Sequence, residues 1–325
     1  MKKRTFLGQI LVAATLATAA LPGMAQTKLK WAHLYETAHP YHRWSTWAAD
    51  EIKKRTSGRY EVQVFPASTL GKQTELNQGL LMGTVDIASS STSFAAQSFP
   101  RIGVGYYPYT FRDAAHLLQF AKSDVFAELA EGYRKKTGVQ IASMTYYGTR
   151  HSTSNKVFKS CDEMKGLKIR VPDAPAYTAM PRACGANPTP IAFSEVYLAL
   201  QNGTAEAQEN PLTTIESMKF FEVQKNVILT GHIVDSLSTE IAPHVWNKLS
   251  EADRKTFTTV MQEAAQKASD DISRREGELL DEFRKKGLNI IEVKRDEFRD
   301  RVIKSVDMKS MGYERKDWDR IQAIR

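Results

Sequence analysis

Cysteine is nearly absent from this chain: two residues, Cys161 and Cys184, in 325. Two thiols cannot build a four-ligand structural zinc site, and no H-E-x-x-H run offers a catalytic one. A G-x-S-x-G elbow is also missing, so a serine hydrolase has no local signature. Histidine is sparse, with seven residues. His33, His39 and His42 are spaced poorly for one metal and read as core or cleft-edge histidines. No low-complexity linker divides the chain. No apolar run reaches the roughly 20 residues that span a bilayer.

The longest apolar run, Ile10 to Leu21, has another meaning. Lys2, Lys3 and Arg4 precede it, Met1 to Ala25 contains no acid, and Gly23-Met24-Ala25 is a small-x-small site. This pattern predicts a secretory signal peptide over 1–25, cleaved after Ala25. Lys3-Arg4 is only a weak twin-arginine hint, so the general export route is favoured. The mature protein is expected in the periplasm, where nucleic-acid chemistry is out of place despite a formal charge of +8. A mildly basic balance suits anionic small ligands or solubility. Export also favours a Cys161–Cys184 bridge, worth roughly 3 kcal/mol by loop closure. Two buried free thiols are the alternative.

The remaining length suggests about two domains. Strand-like and helix-like segments alternate: Leu29 to Leu34, then Tyr41 to Thr56, Tyr60 to Phe65, Thr74 to Met82 and Val85 to Ala88. That alternation predicts an α/β fold with largely parallel sheets. Leu81-Met82-Gly83-Thr84-Val85-Asp86-Ile87-Ala88 is echoed by Gln201-Asn202-Gly203-Thr204-Ala205-Glu206-Ala207-Gln208. Each reads as a helix end, a glycine cap and a short strand, one from each of two similar lobes. Two coincidental units would look the same. Ser250 to Lys286 has apolar residues at helical spacing, from Phe257 through Phe283, behind a capping-box-like Ser250 and Asp253. One helix there would run roughly 55 Å, long enough to lie across both lobes. Two helices broken near Asp270-Asp271 are the alternative.

Several polar residues stand where strands should end. Leu167-Lys168-Ile169-Arg170-Val171-Pro172 puts Lys168 and Arg170 on one face and the apolar residues on the other. Arg170 near a strand's carboxyl end suits a ligand carboxylate, because guanidinium offers a two-pronged donor fork; an ordinary surface arginine is the plain reading. Tyr146-Tyr147-Gly148-Thr149-Arg150 predicts a second strand end, with Arg150 as ligand contact or hinge arginine. Pro211 suits the first position of a helix over Leu212 to Phe221, which makes Asn210 its N-cap and a donor to a ligand oxygen. The echo sets Ser90 opposite Asn210, within a hydroxyl-rich run that includes Ser91. That run is a polar loop or the lining of a cleft.

Four motifs in order carry a resemblance. They are Tyr147-Gly148-Thr149-Arg150, Lys168-Ile169-Arg170-Val171-Pro172, Pro188 to Gln201 around Phe193, and Gln208-Glu209-Asn210-Pro211. The chain resembles the extracytoplasmic solute-binding proteins of tripartite ATP-independent periplasmic (TRAP) transporters over essentially its whole mature length. The resemblance implies a two-lobed α/β periplasmic binding protein with a long helix spanning both lobes. Lobe I is expected over 26–148 and 237–276, and lobe II over 149–236 and 277–325. It also implies that Arg170 clamps a carboxylate, that Arg150 and Asn210 assist, and that Phe193 packs on the ligand. The chain is most similar to the sialic acid-binding branch, but it has Leu34, Gln73 and Ser91 where that branch has an asparagine and two acids. Those departures argue against sialic acid.

The expected function is therefore capture of a hydroxylated organic acid between the lobes and delivery to TRAP membrane permease subunits. A sugar acid such as a uronate is favoured, with Tyr147, His33, Glu36, Gln73, Ser90 and Ser91 beside the arginines and Asn210. A C4-dicarboxylate or a keto or hydroxy acid is the runner-up, with Arg150 taking the second carboxylate. A periplasmic enzyme lacks a nucleophile or a poised acid–base pair, and an adaptor feeding a sensor reads the same in sequence. No cofactor, metal or nucleic acid is expected, and a monomer suits a hinged cleft.

Overall fold

The computed structural model describes residues 26–325, so the expected signal peptide, Met1 to Ala25, lies outside the described residues. Nine strands form one sheet: β1 (Thr27–Ala32), β2 (Tyr60–Phe65), β3 (Ile87–Ser90), β4 (Gln140–Ser154), β5 (Lys168–Val171), β6 (Asn187–Pro190), β7 (Ala207–Pro211), β8 (Asn226–Ile241) and β9 (Asn289–Ile291). The order is β2-β1-β3-β8-β4-β7-β5-β6, with β9 on β8. β1 pairs parallel with β2 and β3, and β5 pairs parallel with β6 and β7. β3 then meets β8, and β7 meets β4, antiparallel. The two halves are thus alike about the long β4–β8 pair. The prolines of β6, Pro188 and Pro190, sit on a sheet edge, where a missing donor costs least.

The helices are α1 (Pro40–Arg55), α2 (Gln73–Met82), α3 (Thr92–Ala95), α4 (Ala114–Phe120), α5 (Asp124–Thr137), α6 (Pro175–Ala183), α7 (Val196–Gln201), α8 (Leu212–Ser217), α9 (Pro243–Trp246), α10 (Glu251–Lys285), α11 (Arg295–Ser305) and α12 (Arg315–Gln322). The sequence echo is structural. Gly83 and Gly203, at φ +79° and +77°, turn the chain out of α2 and α7, and β3 and β7 follow.

α10 is a single helix of 35 residues, about 50 Å long. Ser250 accepts a hydrogen bond from the Asp253 amide and starts it. No break occurs at Asp270-Asp271, because Asp271 is held by Arg43 and Trp44 of α1. Phe257, Val260 and Met261 pack into a core with Trp31, Ile52 and Ile87. Leu279 and Phe283 pack into another with Val196, Leu200 and Phe220. One helix therefore buries side chains in both lobes, at roughly 1.5–3 kcal/mol for each large apolar group. Truncating Phe283, which is fully buried, would remove about 3–5 kcal/mol.

Three local expectations need correction. The strand through Tyr146 does not end at Arg150 but continues to Ser154, with a register shift between Tyr146 and Gly148. Gly148 has φ +119°, and a Cβ there would stand 2.6 Å from Pro211 Cβ, so the chain bulges where only glycine fits. Asn210 is not a helix cap; it lies in β7 opposite His151, and Pro211 is the N-cap of α8. That helix stops at Ser217, because Lys219 takes a left-handed conformation at φ 54°.

Cys161 and Cys184 form a disulfide with Cα atoms 4.6 Å apart, tying the turn before β5 to the end of α6. α12 packs back against the 3-10 turn Pro100–Tyr106 and α5, with buried Asp317 paired to Arg101. Among the described residues no helix is long and apolar enough to cross a membrane.

Candidate functional site

The carboxyl ends of β5 and the bulged stretch of β4 open on a cleft of about 320 Å³ between the two halves. This is large enough for a small organic acid. Arg170 reaches it from β5. The side chain is 1 % exposed, so its hydration is gone. Its Nε and Nη2 donate to the Ile191 carbonyl at 2.9 and 2.7 Å. Its Nη1 is buried without a partner, the sole such lysine or arginine nitrogen among the described residues. Burial, with Arg150 adding to it, lowers the Arg170 pKa to about 10. The group is still a cation at neutral pH, held where a cation is costly until an anion meets it.

Arg150 is different. Its guanidinium holds Glu209 through Nε and Nη2, and Asp235 Oδ2 through Nη1 at 2.6 Å. Nη2 also reaches the Glu209 carbonyl and Asn210 Oδ1, at 2.6 and 3.1 Å. Burial opposes its charge, but Glu209 and Asp235 overcome that and hold the pKa well above the ordinary value. The plane lies 4.8 Å from the Tyr177 ring. Arg150 is thus an engaged cation that shapes the floor, whereas Arg170 is the open one.

Asn210 donates to Gln208 Oε1 at 2.6 Å and lines the cleft beside Arg150. Phe193, Tyr35 and Tyr147 make an aromatic wall, with ring centroids 6.0 Å apart for Tyr35–Phe193 and 5.0 Å for Tyr35–Tyr147. Gln73 and Ser91 line the opposite side. Leu34 does too, so all three positions that depart from the sialic acid branch face the cleft.

His33, Glu36 and Ser90 do not line it. His33 accepts from the Tyr35 amide and shares a hydrogen bond with His42 at 3.1 Å. Burial, with His42 and His39 beside it, lowers its pKa to about 3, so it stays neutral. Ser90 is spent on the Ser91 carbonyl, and Glu36 is partly exposed on the loop after β1. Of the two readings of His33, the core one holds: it is fully buried among Tyr35, Tyr41 and His42.

Tyr177, Asp235, Lys72 and Glu195 are among the lining residues that had no argument as site residues behind them. Tyr177 donates to Ser91 Oγ at 3.0 Å, linking α6 to the start of α3. Asp235 comes from β8, opposite Gly148, through a pairing that local pattern does not reveal. Lys72 and Glu195 pair over the cleft mouth. The Pro-Asp-Ala-Pro turn before α6 was the one available pointer to Tyr177.

A profile for bacterial extracellular solute-binding proteins, family 7, matches residues 31–310. The chain belongs to this family, the TRAP periplasmic solute-binding proteins. It is 32 % identical to the sialic acid-binding periplasmic protein of Vibrio cholerae over 294 residues, 90 % of this chain and 92 % of that one. A TRAP solute-binding protein from a Polaromonas species, bound to D-erythronate, superposes with a TM-score of 0.88 at 30 % identity, covering 92 % of this chain and 99 % of that one. One from Roseobacter denitrificans, with bound L-galactonate, superposes at 0.85 and 29 % identity, covering 91 % and 98 %. The two-lobed TRAP binding fold with its shared long helix is therefore the architecture of this chain. Within that fold the open guanidinium of Arg170 sits at the carboxyl ends of the parallel strands, where open α/β sheets receive ligands.

Proposed function

We propose that this TRAP solute-binding protein captures a hydroxylated monocarboxylate, a sugar acid, and presents it to a membrane permease. One observation carries the reading: Arg170 offers a single buried, unpartnered N–H edge to the cleft while Arg150 is already engaged by two carboxylates. One open cation calls for one carboxylate. The polar side chains of Gln73, Ser91 and Asn210 suit hydroxyls, which a plain aliphatic acid would leave unmatched. Phe193 and Tyr147 would pack on the carbon chain. D-erythronate and L-galactonate, bound by two structural relatives, are hydroxylated monocarboxylates. The engagement of Arg150 speaks against the C4-dicarboxylate alternative, because it leaves no second open cation.

The lobe division is proposed as 26–148 with 237–276, and 149–236 with 277–325, with α12 docked back on the first lobe. Solute would bridge the lobes and favour the closed arrangement, whose combined surface a permease can read.

A thermal-shift panel tests the ligand class. L-galactonate, D-erythronate, a uronate, N-acetylneuraminate and succinate are compared on solute-stripped protein, since a ligand of the native state raises apparent stability. A shift confined to the sugar acids is the expected result. A shift with succinate alone, or with no carboxylate, would overturn the reading.

A further inference from the structure

Three tyrosines line the cleft, Tyr35, Tyr147 and Tyr177, and one of their hydroxyls is unspent. Tyr147 shares a hydroxyl hydrogen bond with Thr214, and Tyr177 donates to Ser91 Oγ at 3.0 Å. Tyr35 is only 6 % exposed, yet its hydrogen bonds among the described residues all run through the main chain. Its amide donates to His33 Nδ1 at 3.2 Å, and its carbonyl accepts from the Ala67 amide at 3.0 Å. The hydroxyl has no protein partner, and it is not sealed in the interior as the unpartnered Ser143 and Thr145 hydroxyls are. Such a phenol keeps a donor and an acceptor open toward the cleft. It cannot swing away to find partners elsewhere. The rings of His39, Tyr41 and Tyr147 stand 5.2, 5.6 and 5.0 Å from its own and hold it.

Asp235 supplies the complement. It lines the same cleft and is almost wholly buried. Its Oδ1 accepts from the Ser236 amide at 2.7 Å and from the Tyr106 hydroxyl at 2.5 Å, and its Oδ2 accepts from Arg150 Nη1 at 2.6 Å. These three donors meet a carboxylate with about four acceptor positions, so one position on Oδ2 stays open. Burial, with Tyr147 and Asp235 nearby, holds the Tyr35 phenol well above its ordinary value. Tyr35 therefore keeps its proton near a carboxylate to which it does not bond. A group that both accepts and donates fits between such a donor and such an acceptor. An alcohol does both, whereas a second carboxylate only accepts and would meet the charge of Asp235.

We infer that Tyr35 and Asp235 form a hydroxyl-selecting pair in the cleft: Tyr35 donates to one hydroxyl of the bound acid, and that hydroxyl donates to Asp235. The pair makes Tyr35 a specificity-determining residue, with a task separate from that of Arg170, which takes the carboxylate. A solute with no oxygen at this place would dry the phenol without pairing it, and binding would be weaker for that reason. The inference deepens the proposed function and rests on its sugar-acid reading.

Calorimetry on the solute-stripped mature protein tests the pair with L-galactonate, D-erythronate and a uronate. Tyr35→Phe keeps the ring and should weaken the tightest binder among them about 3- to 10-fold. A loss below threefold overturns the inference. The solute-free melting temperature of Tyr35→Phe should equal or exceed that of wild type, because the hydroxyl serves no bond in the fold. A lower one makes the hydroxyl structural and overturns the inference too. Monodeoxy analogues of the same acid locate the contact: at one position wild type and Tyr35→Phe should bind alike. A difference that persists at every position sinks the single-hydroxyl contact. At the located position the deoxyfluoro analogue should bind no better than the deoxy one, because fluorine cannot donate to Asp235. Recovery with fluorine removes Asp235 from the pair and overturns it. If wild type binds none of the three acids, the proposed function falls and the inference with it. If wild type binds them and Tyr35→Phe binds them equally, only the inference falls.

Discussion

Lys72 and Glu195 meet over the mouth of the cleft, Nζ to Oε1 2.5 Å, and each begins the helix that is the other's counterpart. Lys72 is the N-cap of α2 and Glu195 that of α7. Their side chains are 49 % and 53 % exposed, so water and salt screen the pair. Exposed ion pairs contribute about 0.2–1 kcal/mol. Lys72→Ala should speed solute release by at most about fivefold, with the difference fading at high salt. Stopped-flow fluorescence at two ionic strengths would read this, and equal rates at low salt would show that the pair does not slow release.

Arg170→Ala should weaken solute binding by roughly 2–5 kcal/mol, or about 30-fold and upward. Arg170→Lys should also fail, because one ammonium cannot replace a fork that holds the Ile191 carbonyl and a carboxylate together. The solute-free stability of Arg170→Met should hold or rise, since a buried charge without a partner has been removed. Calorimetry with and without solute separates the two effects. Binding within threefold of wild type in Arg170→Ala would make this arginine structural.

Glu240 and Glu276 predict an unusual pH slope. Burial raises both from 4.5 to about 7. The folded state therefore keeps protons that the unfolded chain has released, and stability should fall as pH rises from about 4.5 to about 7. The loss is on the order of 3 kcal/mol for each group. Glu276→Gln and Glu240→Gln should flatten their share of the slope in urea melts at pH 5 and pH 8. Parallel slopes in wild type and variants would show that these carboxyls titrate normally.

Reducing the Cys161–Cys184 bridge should lower stability by about 2–4 kcal/mol. The loss should be seen as a lower melting temperature with dithiothreitol, matched by the double serine variant. An unchanged melt would mean that α6 and the turn at Cys161 hold together by packing alone.

Much of the fold was legible because it rests on local pattern. The stripe from Phe257 to Phe283 announced a helix without a break, and Gly83 and Gly203 announced equivalent turns. Arg170 was legible because its strand alternates cleanly and stops at Pro172. What escaped depends on long-range pairing. Asp235 enters the cleft only because β8 lies along β4, and no neighbour in sequence marks it. The role of Arg150 changed for the same reason: Glu209 and Asp235 reach it from two other strands. His33 was misplaced because a buried core histidine and a cleft-edge histidine look alike in local sequence.

β4, β8 and α10 each run beside both halves of the molecule, and β4 and β8 pair along most of their length. Neither half can be cut out by severing the backbone at one point. A chain nicked once in a surface loop would remain a single interlocked particle, so its two halves could tolerate repeated bending without ever being free to drift apart.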